Sequence, residues 1–364
     1  MNKYRIVIAA LLLGLVTPGR AELTIDELIE ASGLEPGAVA MREVPAWDAS
    51  RKIVVRDMGV SMAGLKKRYG DSLVIVTSLA QAHSNAGGAG AIVGYCDAAL
   101  LAAAPMLSWV QIFSSGAERC LDVPQISDGD LVLTNMQKMS SPMIGEHAIA
   151  MLLALSRNLP TFARAMPEGR WSRAPAYTAG MTTVSDKTML VLGLGGIGTE
   201  VARRASALGM RVIGTRNSSR EGPDFVDYVG LSDETLLLAA KAQVVVNALP
   251  LTESTRGLVD AEFFAALQPG TYFINVGRGA TVNTADLVDA LRNGRLAGAG
   301  LDVTEPEPLP SEHPLWTLDN VIITPHVSSR GSGRQRHMLV LTENIRRYLA
   351  GEALLNVVDP KRGY

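Results

Sequence analysis

The sequence contains few cysteines and no concentration of basic charge. Cys96 and Cys120 are the two cysteines in 364 residues, and they are far apart and form no metal-ligand cluster, so we expect no metal site. Each is expected to be a small buried side chain or, if the protein is exported, half of a disulfide. Basic and acidic residues number 34 and 36 and are mixed along the chain, with a net charge of −2. The absence of a basic run argues against a nucleic-acid partner.

The apolar run near the start, Ile6 to Val16, is too short to span a bilayer as a helix. Lys3 and Arg5 precede it, and Thr17-Pro18-Gly19-Arg20-Ala21 follow, which is the order of a secretory signal. We therefore predict a signal peptide over residues 1–21, with no other membrane association. The alternative is that this run is a buried first element of the fold. No twin-arginine pair precedes it, so export of a folded, cofactor-loaded protein is not indicated.

Length and pattern predict two α/β domains, since 364 residues with 47% hydrophobic content suit two cores. Strands and helices alternate, which indicates parallel sheets covered on both faces. The first series of predicted strands is Ile53–Val55, Leu73–Val76, Ala91–Val93, Trp109–Phe113 and Leu131–Leu133. The second series is Met189–Leu192, Val212–Gly214, Val244–Ala248, Tyr272–Val276, Ala299–Leu301 and Val321–Thr324.

Two helices define the predicted domain boundaries. One begins with Ser141 as its N-cap and Pro142 at its first helical position, and its apolar surface indicates burial between the domains. The last helix, about Ser332–Leu349, is amphipathic and could return to the first domain. We predict a discontinuous substrate domain of residues 22–140 and 332–364, with a nucleotide domain of residues 141–331 inserted in it.

A glycine-rich turn follows the first strand of the second series. Gly193, Gly195, Gly196, Ile197 and Gly198 form a G-x-G-x-x-G pattern between that strand and a helix. Glycines permit the tight turn, the close approach of a pyrophosphate and the packing of helix on strand, and the helix N-terminus attracts the phosphates. The full strand, turn, helix and strand context predicts a dinucleotide site.

The end of the next strand predicts which dinucleotide binds. NAD sites usually carry Asp or Glu there, but this chain has Arg216 followed by Asn217. A guanidinium binds a 2′-phosphate well, so we predict NADP in preference to NAD. The alternative is that Arg216 is a solvated residue that stacks on adenine, with either cofactor used.

Three later segments place polar residues at strand ends, where ligands bind in open α/β sheets. They are Asn275-Val276-Gly277-Arg278-Gly279, Leu301-Asp302-Val303-Thr304-Glu305-Pro306-Glu307-Pro308 and Thr324-Pro325-His326. From about Arg51 onward the chain resembles the D-isomer-specific 2-hydroxyacid dehydrogenase family, which includes glyoxylate/hydroxypyruvate reductases, phosphoglycerate dehydrogenase and formate dehydrogenase. The segments Leu249-Pro250-Leu251-Thr252 with Thr255, Ser115-Gly116-Ala117 and Gly145-Glu146-His147-Ala148 also match the family pattern.

The resemblance implies two Rossmann/flavodoxin-like domains and assigns site residues. It makes His326 the acid/base, Glu307 the carboxylate that orients it and Arg278 the group that binds the substrate carboxylate. These roles suit the chemistry, because histidine titrates near neutrality and a guanidinium can grip a carboxylate with two N–H groups. The resemblance also places the backbone of Ser115 and Gly116 on the substrate. It assigns these residues to the cofactor: Leu249, Pro250, Thr255, Val276 and Asp302.

The expected function is hydride transfer between NAD(P)H and a small 2-oxo or 2-hydroxy acid, with glyoxylate and hydroxypyruvate as leading substrates by resemblance. Two alternatives remain open. One is a non-catalytic dinucleotide sensor or scaffold, although a sensor need not keep Arg278, Glu307 and His326 together. The other is a formate- or phosphite-type dehydrogenase on the same fold. A homodimer is expected by analogy, with the apolar helix around Met143–Leu155 as a possible partner surface. Localisation stays open, because the leader favours export and the family favours the cytoplasm.

Overall fold

The computed structural model describes residues 23–59, 62–174, 180–331 and 333–361. The predicted signal peptide therefore lies outside the described residues, as do Ser332 and the last three residues of the predicted substrate domain. No helix within the described ranges is both long enough and apolar enough to cross a membrane.

The first sheet is built from five parallel strands whose residues are almost entirely apolar. They are β1 Lys52–Arg56, β2 Leu73–Val76, β3 Ala89–Val93, β4 Trp109–Gln111 and β5 Val132–Thr134. Their order is β2-β1-β3-β4-β5, the flavodoxin-like order. The helices of this region are α1 Ile25–Ser32, α2 Ala63–Tyr69, α3 Leu79–Ser84, α4 Ala98–Ala102, α5 Glu118–Leu121 and α6 Pro124–Ser127. All five residues of β3 are buried, as expected for a parallel strand covered on both faces.

The second sheet contains seven parallel strands. They are β6 Thr188–Leu192, β7 Arg211–Thr215, β8 Tyr228–Gly230, β9 Val244–Asn247, β10 Thr271–Asn275, β11 Leu296–Leu301 and β12 Val321–Ile323. The order β12-β11-β10-β9-β6-β7-β8 reverses direction between β6 and β9. In such sheets a ligand binds outside the carboxyl ends of the strands, at this switch point. The predicted fold class, two parallel-sheet α/β domains, is confirmed.

The remaining helices cover the second sheet or connect it to the first. They are α7 Ser141–Ser156, α8 Leu159–Ala165, α9 Gly196–Ala207, α10 Thr235–Ala239, α11 Ala261–Ala266, α12 Thr284–Arg292 and α13 Arg334–Ala350. Helix α7 buries Ile144, Ala148 and Leu152 in one core with Met189 and Val191 of β6. It also contacts β10 and β11, so it covers one face of the second sheet.

Helix α13 carries the chain back to the first sheet. Its Tyr348 stacks on Trp109 of β4 with ring centroids 5.3 Å apart. Beside them, Asn344 Nδ2 donates to Gln111 Oε1 at 3.0 Å, so two buried amides satisfy each other. The apolar face of α13 therefore completes the core of a domain whose sheet lies more than 200 residues earlier.

Two sequence expectations differ from the structure. Strand β8 was not predicted, because it has three residues and begins with the exposed Tyr228, so it carries no apolar run. The prediction of Ser141 as the N-cap of α7 is wrong by one residue. Ser140 is the cap, without a side-chain hydrogen bond, and Ser141 is a buried first-turn residue. Proline is tolerated throughout the first turn, so Pro142 did not determine which serine preceded it.

Candidate active site

A cleft of about 1130 Å³ is lined by residues of both domains. Six of the predicted site residues line it: Ser115, Gly116, Ile197, Val276, Arg278 and His326. The first two follow β4 of the first sheet, and the others lie at the carboxyl ends of strands in the second sheet. The fold thus brings the predicted substrate residues and one residue of the glycine-rich turn to a single cavity.

His326 and Glu307 form the ionisable pair of this cleft. His326 Nδ1 lies 2.7 Å from Glu307 Oε1, and the two side chains are 47% and 43% exposed. When Nδ1 donates to the carboxylate, Nε2 is the ring nitrogen left for proton exchange. Glu307 is not part of the cleft lining, so it contacts the imidazole from behind.

The loop that carries His326 is held by Asp302. His326 adopts a positive φ of 52°, which is uncommon for a residue with a side chain. Its N–H donates to the Asp302 carbonyl at 2.8 Å, and the N–H of Val327 donates to Asp302 Oδ1 at 2.9 Å. Ser328 N–H also donates to the carboxylate, and Thr324 Oγ1 donates to Oδ1 at 2.7 Å. These bonds fix the turn that points the imidazole into the cleft.

The same contacts set the charge of Asp302, which is only 2% exposed. Burial by itself would raise the pKa of this carboxyl. The hydrogen bonds from Ser328, Thr324 and Val327 outweigh burial and hold its pKa below the usual value. Asp302 is therefore a charged positioning residue for the His326 loop. Its predicted contact with the nicotinamide stays a prediction.

Arg278 follows β10 and lies next to the predicted substrate backbone. Its Nε donates to Glu118 Oε1 at 3.0 Å, and its Nη1 donates to the Gly277 carbonyl at 2.9 Å. A Cβ atom added to Gly116 would collide with Arg278 Nη2 and with the Glu118 carboxylate. Only glycine at position 116 allows the guanidinium to approach the loop backbone this closely.

Glu118 was missed by the sequence analysis. It lies three residues after Ser115 but 160 positions before Arg278, so no local motif links the two charges. The pair is partly exposed, with side chains 28% and 38% accessible for Arg278 and Glu118. Glu118 holds one edge of the guanidinium and leaves Nη2 for a second carboxylate.

The glycine-rich turn fits a dinucleotide. Gly193 has a φ of +87°, and a Cβ on Gly198 would collide with the Gly193 carbonyl oxygen. Helix α9 starts from Gly195 without a side-chain cap, and nothing lies within 4 Å of a Cβ placed there. Its first N–H groups therefore have room for an anionic group such as a pyrophosphate.

The loop after β9 packs against this glycine-rich turn. Leu249 N–H donates to Asn247 Oδ1 at 3.2 Å, and Thr255 Oγ1 donates to the Pro250 carbonyl at 2.7 Å. The Leu249 side chain lies 3.2 Å from a Cβ built on Gly193, so this loop packs directly on the turn. The predicted cofactor residues Leu249, Pro250 and Thr255 thus lie at the β6/β9 switch point.

Arg216 immediately follows β7, as predicted, and is partly buried. Its Nε donates to the Leu194 carbonyl and its Nη1 to the Glu221 carbonyl, both at 3.0 Å. The guanidinium is therefore fixed beside the glycine-rich turn. The neighbouring Asn217 is exposed.

A second cation lies near Arg216. Burial is the main reason that the pKa of Lys138 is lowered; the Glu35 carboxylate opposes this effect, and the positive charge of Arg216 adds to it. The Cγ atom of Lys138 lies 3.0 Å from a Cβ built on Gly196. Both domains thus contribute positive charge next to the turn.

Cys96 and Cys120, whose state the sequence left open, form a disulfide with a Cα–Cα distance of 5.7 Å. Both residues line the cleft. The bond ties the loop after β3 to helix α5, which begins at Glu118. In the ranges that the structure describes, no group of three or more His, Cys, Asp or Glu side chains could hold a metal ion.

Comparison with known proteins agrees with this geometry. A family model described as the NAD binding domain of D-isomer specific 2-hydroxyacid dehydrogenase matches residues 149–328. The chain is 31% identical over 267 residues to glyoxylate reductase of Thermofilum pendens, a match that covers 71% of this chain and 78% of that relative. It is 34% identical over 267 residues to D-3-phosphoglycerate dehydrogenase of Mycobacterium tuberculosis, covering 72% of this chain and 49% of the relative. Matches to several curated relatives span 49% to 64% of their lengths.

A solved structure has the same fold over most of the chain. It is a D-isomer specific 2-hydroxyacid dehydrogenase from Xanthobacter autotrophicus Py2 in complex with NADPH and MES. It is 32% identical, with a TM-score of 0.73, and the match covers 86% of this chain and 100% of that one. With two parallel sheets, a dinucleotide turn at the switch point and this extent of sequence identity, the chain belongs to the D-isomer specific 2-hydroxyacid dehydrogenase family.

Proposed function

We propose that this protein is an NAD(P)-dependent oxidoreductase that transfers a hydride between the nicotinamide and C2 of a small 2-oxo or 2-hydroxy acid, acting on the D-isomer. One observation carries the proposal. The Glu307–His326 pair, with atoms 2.7 Å apart, and Arg278 converge on a cleft that Ile197 of the glycine-rich turn also lines. An acid/base, an anion-binding group and a dinucleotide turn are the parts that this reaction requires.

Each residue of the cleft has a separate role in the proposed reaction. When bound at the glycine-rich turn, the cofactor supplies or accepts the hydride. In the reductive direction His326 donates a proton from Nε2 to the oxygen on C2, and it takes the proton back in the oxidative direction. Glu307 at Nδ1 fixes the orientation of the ring and leaves Nε2 as the nitrogen that exchanges the proton. Asp302 holds the loop in place through its hydrogen bonds to Val327 and Ser328.

Arg278 binds the substrate carboxylate in this proposal. Its Nη2 is adjacent to Gly116, so the guanidinium and the backbone N–H groups around Ser115 and Gly116 can hold the two carboxylate oxygens together. The same positive charge polarises the neighbouring ketone and stabilises negative charge that develops on its oxygen.

The test is a steady-state assay of the purified protein. Loss of reduced-nicotinamide absorbance is followed with NADPH and NADH against glyoxylate, hydroxypyruvate, pyruvate and bulkier 2-oxo acids. We expect turnover with at least one 2-oxo acid, and glyoxylate is tested first because the Thermofilum relative is named a glyoxylate reductase. Cofactor binding without turnover would favour a sensor, and oxidation of formate alone would favour the formate-type alternative.

We further propose that NADP is preferred over NAD. The fixed position of Arg216 beside the turn and the nearby charge of Lys138 support this preference, because a 2′-phosphate needs a desolvated, positively charged partner. The Xanthobacter relative was crystallised with NADPH.

Replacing Arg216 with alanine is expected to lower kcat/KM for NADPH by about 10- to 100-fold, which is the range for losing a hydrogen-bonded charge, and to affect NADH less. Arg220→Ala is the matched control, because Arg220 already pairs with Glu234 at 2.6 Å. Equal losses for NADPH and NADH would leave Arg216 as a structural residue only.

Export and dimerisation are also proposals. Cleavage after Ala21 would give a mature chain that starts at Glu22. The mass of the protein recovered from its native host would show whether residues 1–21 are still attached.

If the protein is a homodimer, light scattering should give twice the mass of one chain. If the protein is a monomer at micromolar concentration, the proposal that α7 contacts a partner subunit is wrong.

A further inference from the structure

We propose that the cleft contains a second anion-binding subsite centred on Arg56, so that the preferred 2-oxo acid carries a carboxylate or phosphate at its distal end. This inference rests on the proposed function, because it identifies the class of substrate that the same cleft takes. Arg278 would bind the carboxylate next to the reacting carbon, and Arg56 would bind the far end.

The charge of the cleft lining is the first support. Five arginines line it, Arg56, Arg119, Arg278, Arg330 and Arg334, against two carboxylates, Asp57 and Glu118. Glu118 is already paired with Arg278. Over the part of the chain that the structure describes, the other four arginines form no ion pair within 4.0 Å. Arginines gathered in a cleft with fewer carboxylates repel one another, so the arrangement favours an anionic ligand.

Arg56 is the arginine of this set whose position is fixed by packing. It is the last residue of β1, and its Cβ lies 2.7 Å from a Cβ built on Gly94, so only glycine fits at that position. Its guanidinium lies over the Tyr95 ring, 5.3 Å from the centroid. A cation–π contact of this kind orients the charge while leaving its N–H edge available to an acceptor.

The loop after β4 sets the separation of the two arginines. A Cβ on Gly94 would also meet the Phe113 ring, whereas Gly116, three residues further on, contacts Arg278. Three residues of chain span at most about 11 Å, so Arg56 and Arg278 border the two ends of one short segment. That spacing suits a small molecule with an anionic group at each end.

The phosphates of the cofactor do not account for this charge. They are expected at the start of α9, and Ile197 is the one residue of the Gly193–Gly198 turn in the cleft lining. Arg56 belongs to the other domain, at the carboxyl edge of the first sheet. Its charge is therefore available to the substrate.

The kinetic test compares 2-oxoglutarate with 2-oxopentanoate, which has the same length but ends in a methyl group. We expect kcat/KM to favour 2-oxoglutarate by about 10- to 100-fold, the range for a hydrogen-bonded charge pair. Arg56→Gln should reduce that ratio about tenfold or more. 3-Phosphohydroxypyruvate against hydroxypyruvate, run in parallel, distinguishes a phosphate-bearing from a carboxylate-bearing substrate.

Arg68→Gln is the matched control. Arg68 also lies over a tyrosine ring, that of Tyr69 at 5.5 Å, but it is outside the cleft lining. The control should keep the wild-type ratio. A wild-type enzyme that prefers 2-oxopentanoate, or an equal fall of the ratio in both variants, would overturn the second subsite.

A binding measurement separates this inference from the proposed function. Calorimetry of the NADP-saturated protein with glutarate and with pentanoate needs no turnover. Glutarate binding that is tighter than pentanoate binding, and weakened by Arg56→Gln but not by Arg68→Gln, supports the subsite even if no 2-oxo acid is reduced. In that case only the proposed reaction fails. Equal binding of glutarate and pentanoate overturns the subsite whatever the enzyme turns over.

Discussion

Replacing His326 with alanine is expected to lower kcat by about 10²- to 10⁴-fold, the usual contribution of a general acid or base. The reason is that the imidazole is the titratable donor in the cleft that is paired with a carboxylate, at 2.7 Å from Glu307. Binding of NADPH should persist, because the glycine-rich turn lies on a different strand end. Single-turnover kinetics and NADPH fluorescence titration on the same preparation measure both properties.

His83→Ala is a matched control for this experiment. His83 also lies near a carboxylate, with Nε2 3.6 Å from Asp97 Oδ1 and side chains 37% and 41% exposed, but it is not part of the cleft lining. We expect wild-type turnover from the control. If His326→Ala kept full turnover, the proton would have to come from another group or from water, and the proposed role of His326 would be wrong.

Replacing Arg278 with lysine is expected to lower kcat by about 10²- to 10³-fold and to raise KM, as for loss of a preorganised donor at a developing oxyanion. Lysine keeps the positive charge but cannot bond Glu118, the Gly277 carbonyl and a substrate carboxylate through one planar group. The measurement is kcat and KM for the best 2-oxo acid. A rise in KM with unchanged kcat would mean that Arg278 contributes ground-state binding alone.

Arg295→Lys is the control for this substitution. Arg295 donates to the Leu267 carbonyl at 3.1 Å, so its guanidinium has a backbone partner as that of Arg278 does, but it lies outside the cleft lining. Wild-type kinetics from the control would attribute the loss to the position of Arg278. A similar loss in both variants would point to a general effect of arginine replacement on stability.

Features encoded within short segments could be predicted from the sequence. The Gly193–Gly198 turn needs only a strand, a turn and a helix in succession, and Arg216 follows from the end of the next strand. Arg278 and His326 each come just after a strand, and parallel strands bring their carboxyl ends to one edge. The location of these residues at strand ends therefore did not depend on tertiary detail, whereas the roles predicted for Arg278 and His326 came from the resemblance to the family.

Features that depend on distant contacts could not be predicted. The Arg278–Glu118 pair joins two domains, and the hydrogen bonds of Asp302 are visible only once the His326 loop has folded back on β11. The choice of Ser140 over Ser141 as the cap of α7 depends on local backbone angles rather than on residue type. The disulfide depends on the approach of the loop after β3 to helix α5, which the neighbours of neither cysteine reveal.

The return of α13 to the first sheet affects the order in which the chain can fold during synthesis. Leu341, Ile345 and Tyr348 share a core with Ile53 and Trp109, so this core stays incomplete until α13 has left the ribosome. The strands of the second sheet all lie earlier, between Thr188 and Ile323, and that domain can close first. The part of the chain made first is thus completed last, and its apolar strands need protection from aggregation while the nucleotide domain folds.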